Sequence, residues 1–168
     1  MRNSLNFSYN TAIDYKYEVD GHRHVEVPLF FDKESHSNLQ IDFVFDTGAY
    51  LTVLTKDTAE TFGYDKIKPL QKNIPLTGFA DSKCSGDLIE IPGMLIGGKR
   101  LVDVRVAIPY LDTEDDILGL NVLEYFDYLI DSSNDKIYFT DSNTYKPPTE
   151  LGCGKVTIVK KDSESKQN

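Results

Sequence analysis

Apolar and polar positions exchange over short distances along this chain, and the prevailing period is two. Leu39-Gln40-Ile41-Asp42-Phe43-Val44-Phe45 alternates and then turns wholly apolar, the pattern of a strand running from a sheet edge into a core. Residues 15–19 and 24–31 are β-type segments flanking Asp20-Gly21, a strong hairpin turn signal. Residues 51–54 read as a short buried strand. Thr55 follows as the N-cap of a short helix, and Gly63 stands where a glycine ends one. Strands are expected at 74–79 and 88–96, divided by the small and polar stretch 80–86. Gly97-Gly98 marks a tight turn before an alternating strand at 101–108. An acidic loop at 112–116 leads into Ile117-Leu118-Gly119-Leu120-Asn121 and a helical turn through Tyr125. Residues 128–131 and 136–140 pair across Ser132-Ser133-Asn134, and a further edge strand is expected at 155–159.

Many short strands, frequent turns and two short helices predict a mostly β domain. The sequence has no internal repeat. Its 168 residues suffice for one real hydrophobic core and not comfortably for two. The expected division is a polar N-terminal arm at 1–14, one domain at 15–141, and a C-terminal extension at 142–168 that is partly disordered.

Charge narrows the function classes. A net charge of -9 and a pI near 4.7 argue against a nucleic-acid surface, which needs clustered Lys and Arg, and against docking on anionic membranes. With no signal peptide and no stretch long enough to span a bilayer, a cytoplasmic protein is expected. Cys84 and Cys153 belong to no metal-type or redox-type spacing; two free thiols are the commoner reading and one disulfide the alternative.

The chemistry concentrates at Asp46. A carboxylate at the end of an apolar strand is costly unless hydrogen bonds or a changed proton affinity compensate, so a buried, hydrogen-bonded turn is expected there. Gly48 lacks the side chain that would keep another backbone away from the carboxylate, and Thr47 offers a hydroxyl to a backbone across the site. His22 and His24 share a strand face and, with Asp42 or Glu26, suggest a metal, but a solvated hairpin face is commoner and no third His completes a ligand pattern. Glu114-Asp115-Asp116 reads as a solvated loop rather than a cation site. Cys84 has only Lys83 as a basic neighbour to activate its thiol.

Asp46-Thr47-Gly48-Ala49, preceded by apolar residues, resembles the active-site motif of the retropepsin-like (retroviral-type) aspartic peptidases. Ile117-Leu118-Gly119 resembles that family's second signature, and the likeness runs from about residue 25 to 140. The resemblance implies a single-domain, closed acid-protease-like β barrel with a flap hairpin around residues 79–86. It implies an aspartic endopeptidase with Asp46 catalytic and Thr47, Gly48 and Gly119 in support. Gly48, Ala49, Gly78, Phe79 and Ala80 would contact a peptide or protein substrate. No metal and no cofactor are implied. One such motif without a repeat means that a second copy supplies the other Asp46, hence a two-fold homodimer. Leu120 stands where retroviral members tend to carry Arg before the Asn, and glycine near the flap tip is limited to Gly78 and Gly86, so a non-viral member is expected. Two phosphate-chemistry motifs fit poorly: actin-like kinases need a larger two-lobed chain, and Asp-x-Asp phosphatases need a second Asp where Gly48 stands. The alternative from another class is a binding or dimerisation module that keeps the peptidase fold with little or no proteolytic activity.

Overall fold

The alternating stretches of the sequence become nine strands in the computed structural model, which describes residues 11–77 and 84–141. β1 (Thr11–Tyr17), β2 (Arg23–Phe30) and β3 (Asn38–Phe45) form an antiparallel meander. Its first turn uses Gly21 at φ 81°, a left-handed conformation that costs glycine little. Helix α1 (Lys56–Phe62) begins at Thr55, whose hydroxyl accepts from the Thr58 amide at 3.1 Å, and ends at left-handed Gly63. A 3-10 turn, Tyr64–Lys66, follows. Then come β4 (Gln71–Leu76), β5 (Cys84–Ile96), β6 (Lys99–Pro109), β7 (Asp116–Leu118), α2 (Leu120–Leu123), β8 (Phe126–Asp131) and β9 (Lys136–Asp141).

Pairing joins these strands into one sheet, ordered β4-β5-β2-β1-β9-β8, with β3 beside β2 and β7, and β6 beside β5. The named strands alone leave the sheet open. One residue outside them completes a ring: Val53 bridges Ala107 of β6 and Ile117 of β7. The ring therefore runs β2, β3, β7, Val53, β6, β5 and back to β2, where Leu29 pairs with Met94. β1, β9 and β8 extend the sheet outward from β2.

The inward residues of the ring make the main core, with Val25, Val27, Phe43, Ile89, Ile91 and Val106 among its fully buried members. Each such side chain contributes about 1.5–3 kcal/mol relative to exposure. A smaller cluster of Val53, Ile74, Leu76, Cys84, Leu88 and Ala107 lies where β4 and β5 cross the ring's seam. The mostly β, acid-protease-like architecture is the one expected.

Several boundaries moved. β1 begins at Thr11, inside the stretch expected as a polar arm, because residues 11–14 pair with β9 while Ile13 packs against the core. Residues 51–54 do not make a named strand; Thr52, Val53 and Leu54 are buried, but their pairing is confined to the bridges at Val53. β5 starts at Cys84, earlier than the expected residue 88, and Gly86 lies inside it. The hairpin residues Gly78, Phe79 and Ala80 lie outside the described residues.

Candidate active site

Asp46 follows the last residue of β3, so the strand's buried end fixes where its backbone sits. The Asp46 amide donates to the Leu118 carbonyl at 3.1 Å, continuing the parallel ladder in which Phe43, Val44 and Phe45 pair with Asp116, Ile117 and Leu118. The chain then turns sharply. The Gly48 amide donates to Asp46 Oδ1 at 2.8 Å, and the Ala49 amide to the Asp46 carbonyl at 3.4 Å. A Cβ at Gly48 would stand 3.1 Å from that carboxylate oxygen, tight enough that the neighbour would have to give. Asp46 is half-buried rather than fully buried as expected, and Thr47 and Gly48 are exposed. Among the described residues, Asp46 Oδ2 and the Thr47 hydroxyl have no hydrogen-bond partner. The turn thus holds one carboxylate oxygen and presents the other.

Behind the turn, residues 49–54 are laced to residues 117–121. The Leu120 and Asn121 amides donate to the carbonyls of Ala49 (2.8 Å) and Tyr50 (3.0 Å), while Val53 and Ile117 exchange two backbone bonds of 2.8 Å. Thr52, fully buried, accepts from the Gly119 amide through its hydroxyl at 3.0 Å and donates its own amide to Asn121 Oδ1 at 2.7 Å. The Asn121 side-chain amide reaches on to the Arg105 carbonyl at 2.7 Å. Gly119 is where the two segments touch: a Cβ there would lie 2.5 Å from the Leu51 carbonyl carbon and oxygen, so only glycine fits without a backbone shift.

The structure thus brings Asp46, Thr47, Gly48, Ala49 and Gly119 together in one turn-and-backing assembly. It also gives parts to residues that the sequence left without one. Thr52 and Asn121 tie the two segments; a Thr between Leu51 and Val53 in a buried stretch was the available signal. Asp116 was read as part of a solvated acidic loop, yet it is 8% exposed and opens β7. Its Oδ1 accepts from the Thr55 amide at 2.7 Å and its Oδ2 from the Thr58 hydroxyl at 2.6 Å. Burial pushes its carboxyl above the ordinary value, against the opposing bonds from Thr58 and Thr55.

One other reading is revised and one stands. His24 does not lie on a solvated hairpin face; it is 8% exposed and bonded to Asp20 and Asp42. Cys84 is a free thiol, as expected, and buried, with its Sγ directed at the Ser85 carbonyl. Among the described residues no group of three or more His, Cys, Asp or Glu could hold a metal ion, and no helix is long and apolar enough to cross a membrane.

An apolar-backed Asp-Thr-Gly turn laced to the segment that carries Gly119, in a mostly β domain, is an aspartic-protease type of centre. Residues 36–125, more than half of the sequence, match the family described as "gag-polyprotein putative aspartyl protease", and the chain belongs to that family. Among solved structures it is similar to a retropepsin-like aspartic protease from Rickettsia conorii, at 24% identity and a TM-score of 0.52, over 77% of this chain and 88% of that one. Weaker likenesses are to the EIAV protease complexed with the inhibitor HBY-793 (17% identity, TM-score 0.47, 65% and 91% covered). The retroviral protease-like domain of Ddi1 from Leishmania major stands similarly (16% identity, TM-score 0.48, 74% and 98% covered). A comparison with curated proteins yields no match.

Proposed function

We propose that the chain is one subunit of an aspartic endopeptidase, a homodimer in which two Asp46 carboxylates face each other across a two-fold axis. The observation that carries this reading is the Asp46 turn itself, with Oδ1 held by the Gly48 amide and Oδ2 left unpartnered on a half-exposed side chain. One such acid is half of a mechanism. Two carboxyls a hydrogen bond apart cannot both ionise and so share a proton, a behaviour for which aspartic proteases are the standing example.

The ionised member takes a proton from a water, whose oxygen bonds to the peptide carbonyl carbon, while the other member's proton passes to the carbonyl oxygen. Collapse of the resulting diol breaks the C–N bond, with a proton delivered to the departing amine. Gly48 and Ala49 would floor the cleft, and Gly78, Phe79 and Ala80 are proposed as further contacts to an extended substrate held largely by its backbone.

The test is cleavage of a diverse peptide library, with and without pepstatin, by the wild type and by Asp46→Asn, alongside sedimentation at micromolar concentration. Cleavage flanked by apolar residues, abolished by pepstatin and by the substitution, supports the proposal. A dimer that cleaves nothing would favour the binding or dimerisation module; a strict monomer that cleaves would refute the shared-site arrangement.

A further inference from the structure

His24 is the one histidine among the described residues that is buried, and the proposed reaction makes no use of it. It lies on β2 directly opposite Val44 of β3, two residues before Asp46. Its Nδ1 stands 2.8 Å from Asp42 Oδ2 and its Nε2 stands 2.9 Å from Asp20 Oδ2. Asp42 belongs to β3, whereas Asp20 belongs to the turn between β1 and β2, where its other oxygen accepts from the His22 amide at 2.8 Å.

The chemistry of the ring decides what this arrangement requires. A neutral imidazole has one N–H donor and one lone pair, and an ionised carboxylate only accepts. Two carboxylate contacts at hydrogen-bond distance are both satisfied only when both ring nitrogens carry protons. Loss of one proton turns one contact into a lone pair facing an anion.

We propose that Asp20, His24 and Asp42 form a pH-sensitive latch that fastens the β1–β2 turn to β3, the strand leading to Asp46, and that opens when His24 loses its proton. The surroundings agree with a cationic ring. Lys16 lies directly across on β1, Glu26 is two residues on along β2, His22 stands just before that strand, and Asp42 lies on β3 opposite Glu26, so with Asp20 the carboxylates outnumber the cations. Burial disfavours the charge, but the bonds to Asp20 and Asp42 outweigh it and leave His24 above its ordinary value. A raised value has a definite sign: the latch's stabilisation is complete below about pH 6.5, the ordinary histidine value, and is lost as pH rises through the higher folded value. This proposal is independent of the reaction assigned to Asp46.

The experiment follows the His24 ring by NMR titration of the full chain, and amide exchange at His22, whose N–H the latched Asp20 accepts. In the wild type the His24 midpoint should lie above about 6.5, and Asp20→Asn and Asp42→Asn should each lower it by about one unit, the scale of removing an adjacent opposite charge. Protection of the His22 amide, corrected for the intrinsic rise of exchange with pH, should fall through that same midpoint. In His24→Gln it should be low and flat. Both Asp residues are exposed, so their substitutions test the latch even where His24→Gln does not fold. A midpoint at or below the ordinary value would overturn the proposal, as would His22 protection that ignores the midpoint.

Discussion

Asp46 and Asp116 stand at opposite ends of the same three-residue parallel ladder, and the chain treats their carboxylates differently. Asp116 is buried and has both oxygens engaged, one by the Thr55 amide and one by the Thr58 hydroxyl. Asp46 is half-buried with one oxygen engaged and the other unpartnered among the described residues. The first carboxylate joins the start of β7 to the N-terminus of α1; the second is held in place and left available. Burial alone would have singled out Asp116. On the proposed function, what would separate a reactive acid from a structural one here is unspent hydrogen-bonding capacity on a rigid support.

The largest effect expected from breaking this contrast is on rate. Asp46→Asn should lower peptide cleavage by about 10²-fold to 10⁴-fold, the range for a lost general acid or base, and leave the thermal midpoint almost unchanged. A comparable loss of stability would mean that Asp46 is as structural as its neighbour. Gly119→Ala attacks the backing of the turn. Its Cβ cannot fit against Leu51 without backbone movement, so denaturant unfolding should show a loss of about 3 kcal/mol, the upper end for overpacking.

Asp116→Ala should reverse the Asp46 pattern, costing about 2–3 kcal/mol by stranding a buried amide and hydroxyl, with activity per folded protein retained. Its pH dependence sharpens the point. The folded carboxyl holds its proton to higher pH than the unfolded chain, whose value is about 3.9. Its contribution is therefore complete below that pH and declines as pH rises through the raised folded value. Measured against Asp116→Asn, which cannot titrate, the wild type should lose ground in thermal midpoint between pH 3 and neutrality; a gain would reverse the assigned sign. The smallest change is Thr58→Val, which removes one donor to Asp116 and should cost about 1 kcal/mol in chemical denaturation.

The same contrast shows what was legible in the sequence. The apolar run through Phe45 placed Asp46 at a strand end, and Thr55 with Gly63 bounded α1, because these signals are local. Asp116 was misread because its partners, Thr55 and Thr58, lie far away in sequence, and its acidic neighbours Glu114 and Asp115 imitate a solvated loop. His24 was half hidden in the same way: alternation gave the strand face and Asp42 as a neighbour, but not that Asp20 would close over it from the turn. Thr52 and Asn121 could not be paired without knowing that residues 49–54 pass beside residues 117–121. Local periodicity yields elements; the contacts that equip a site are nonlocal.

The closure of the ring at Val53 has a consequence for folding order. Val53 meets Ala107 and Ile117, partners remote in sequence, so the seam demands the closing of long loops, which is entropically unfavourable and slow. The hairpins β2–β3, β5–β6 and β8–β9 are local and can form early. The lacing behind Asp46 is then expected to assemble among the last contacts, leaving an immature chain with much of its sheet but an unformed centre. On the proposed function, that folding order would leave the Asp46 turn without its backing until the ring closes at Val53.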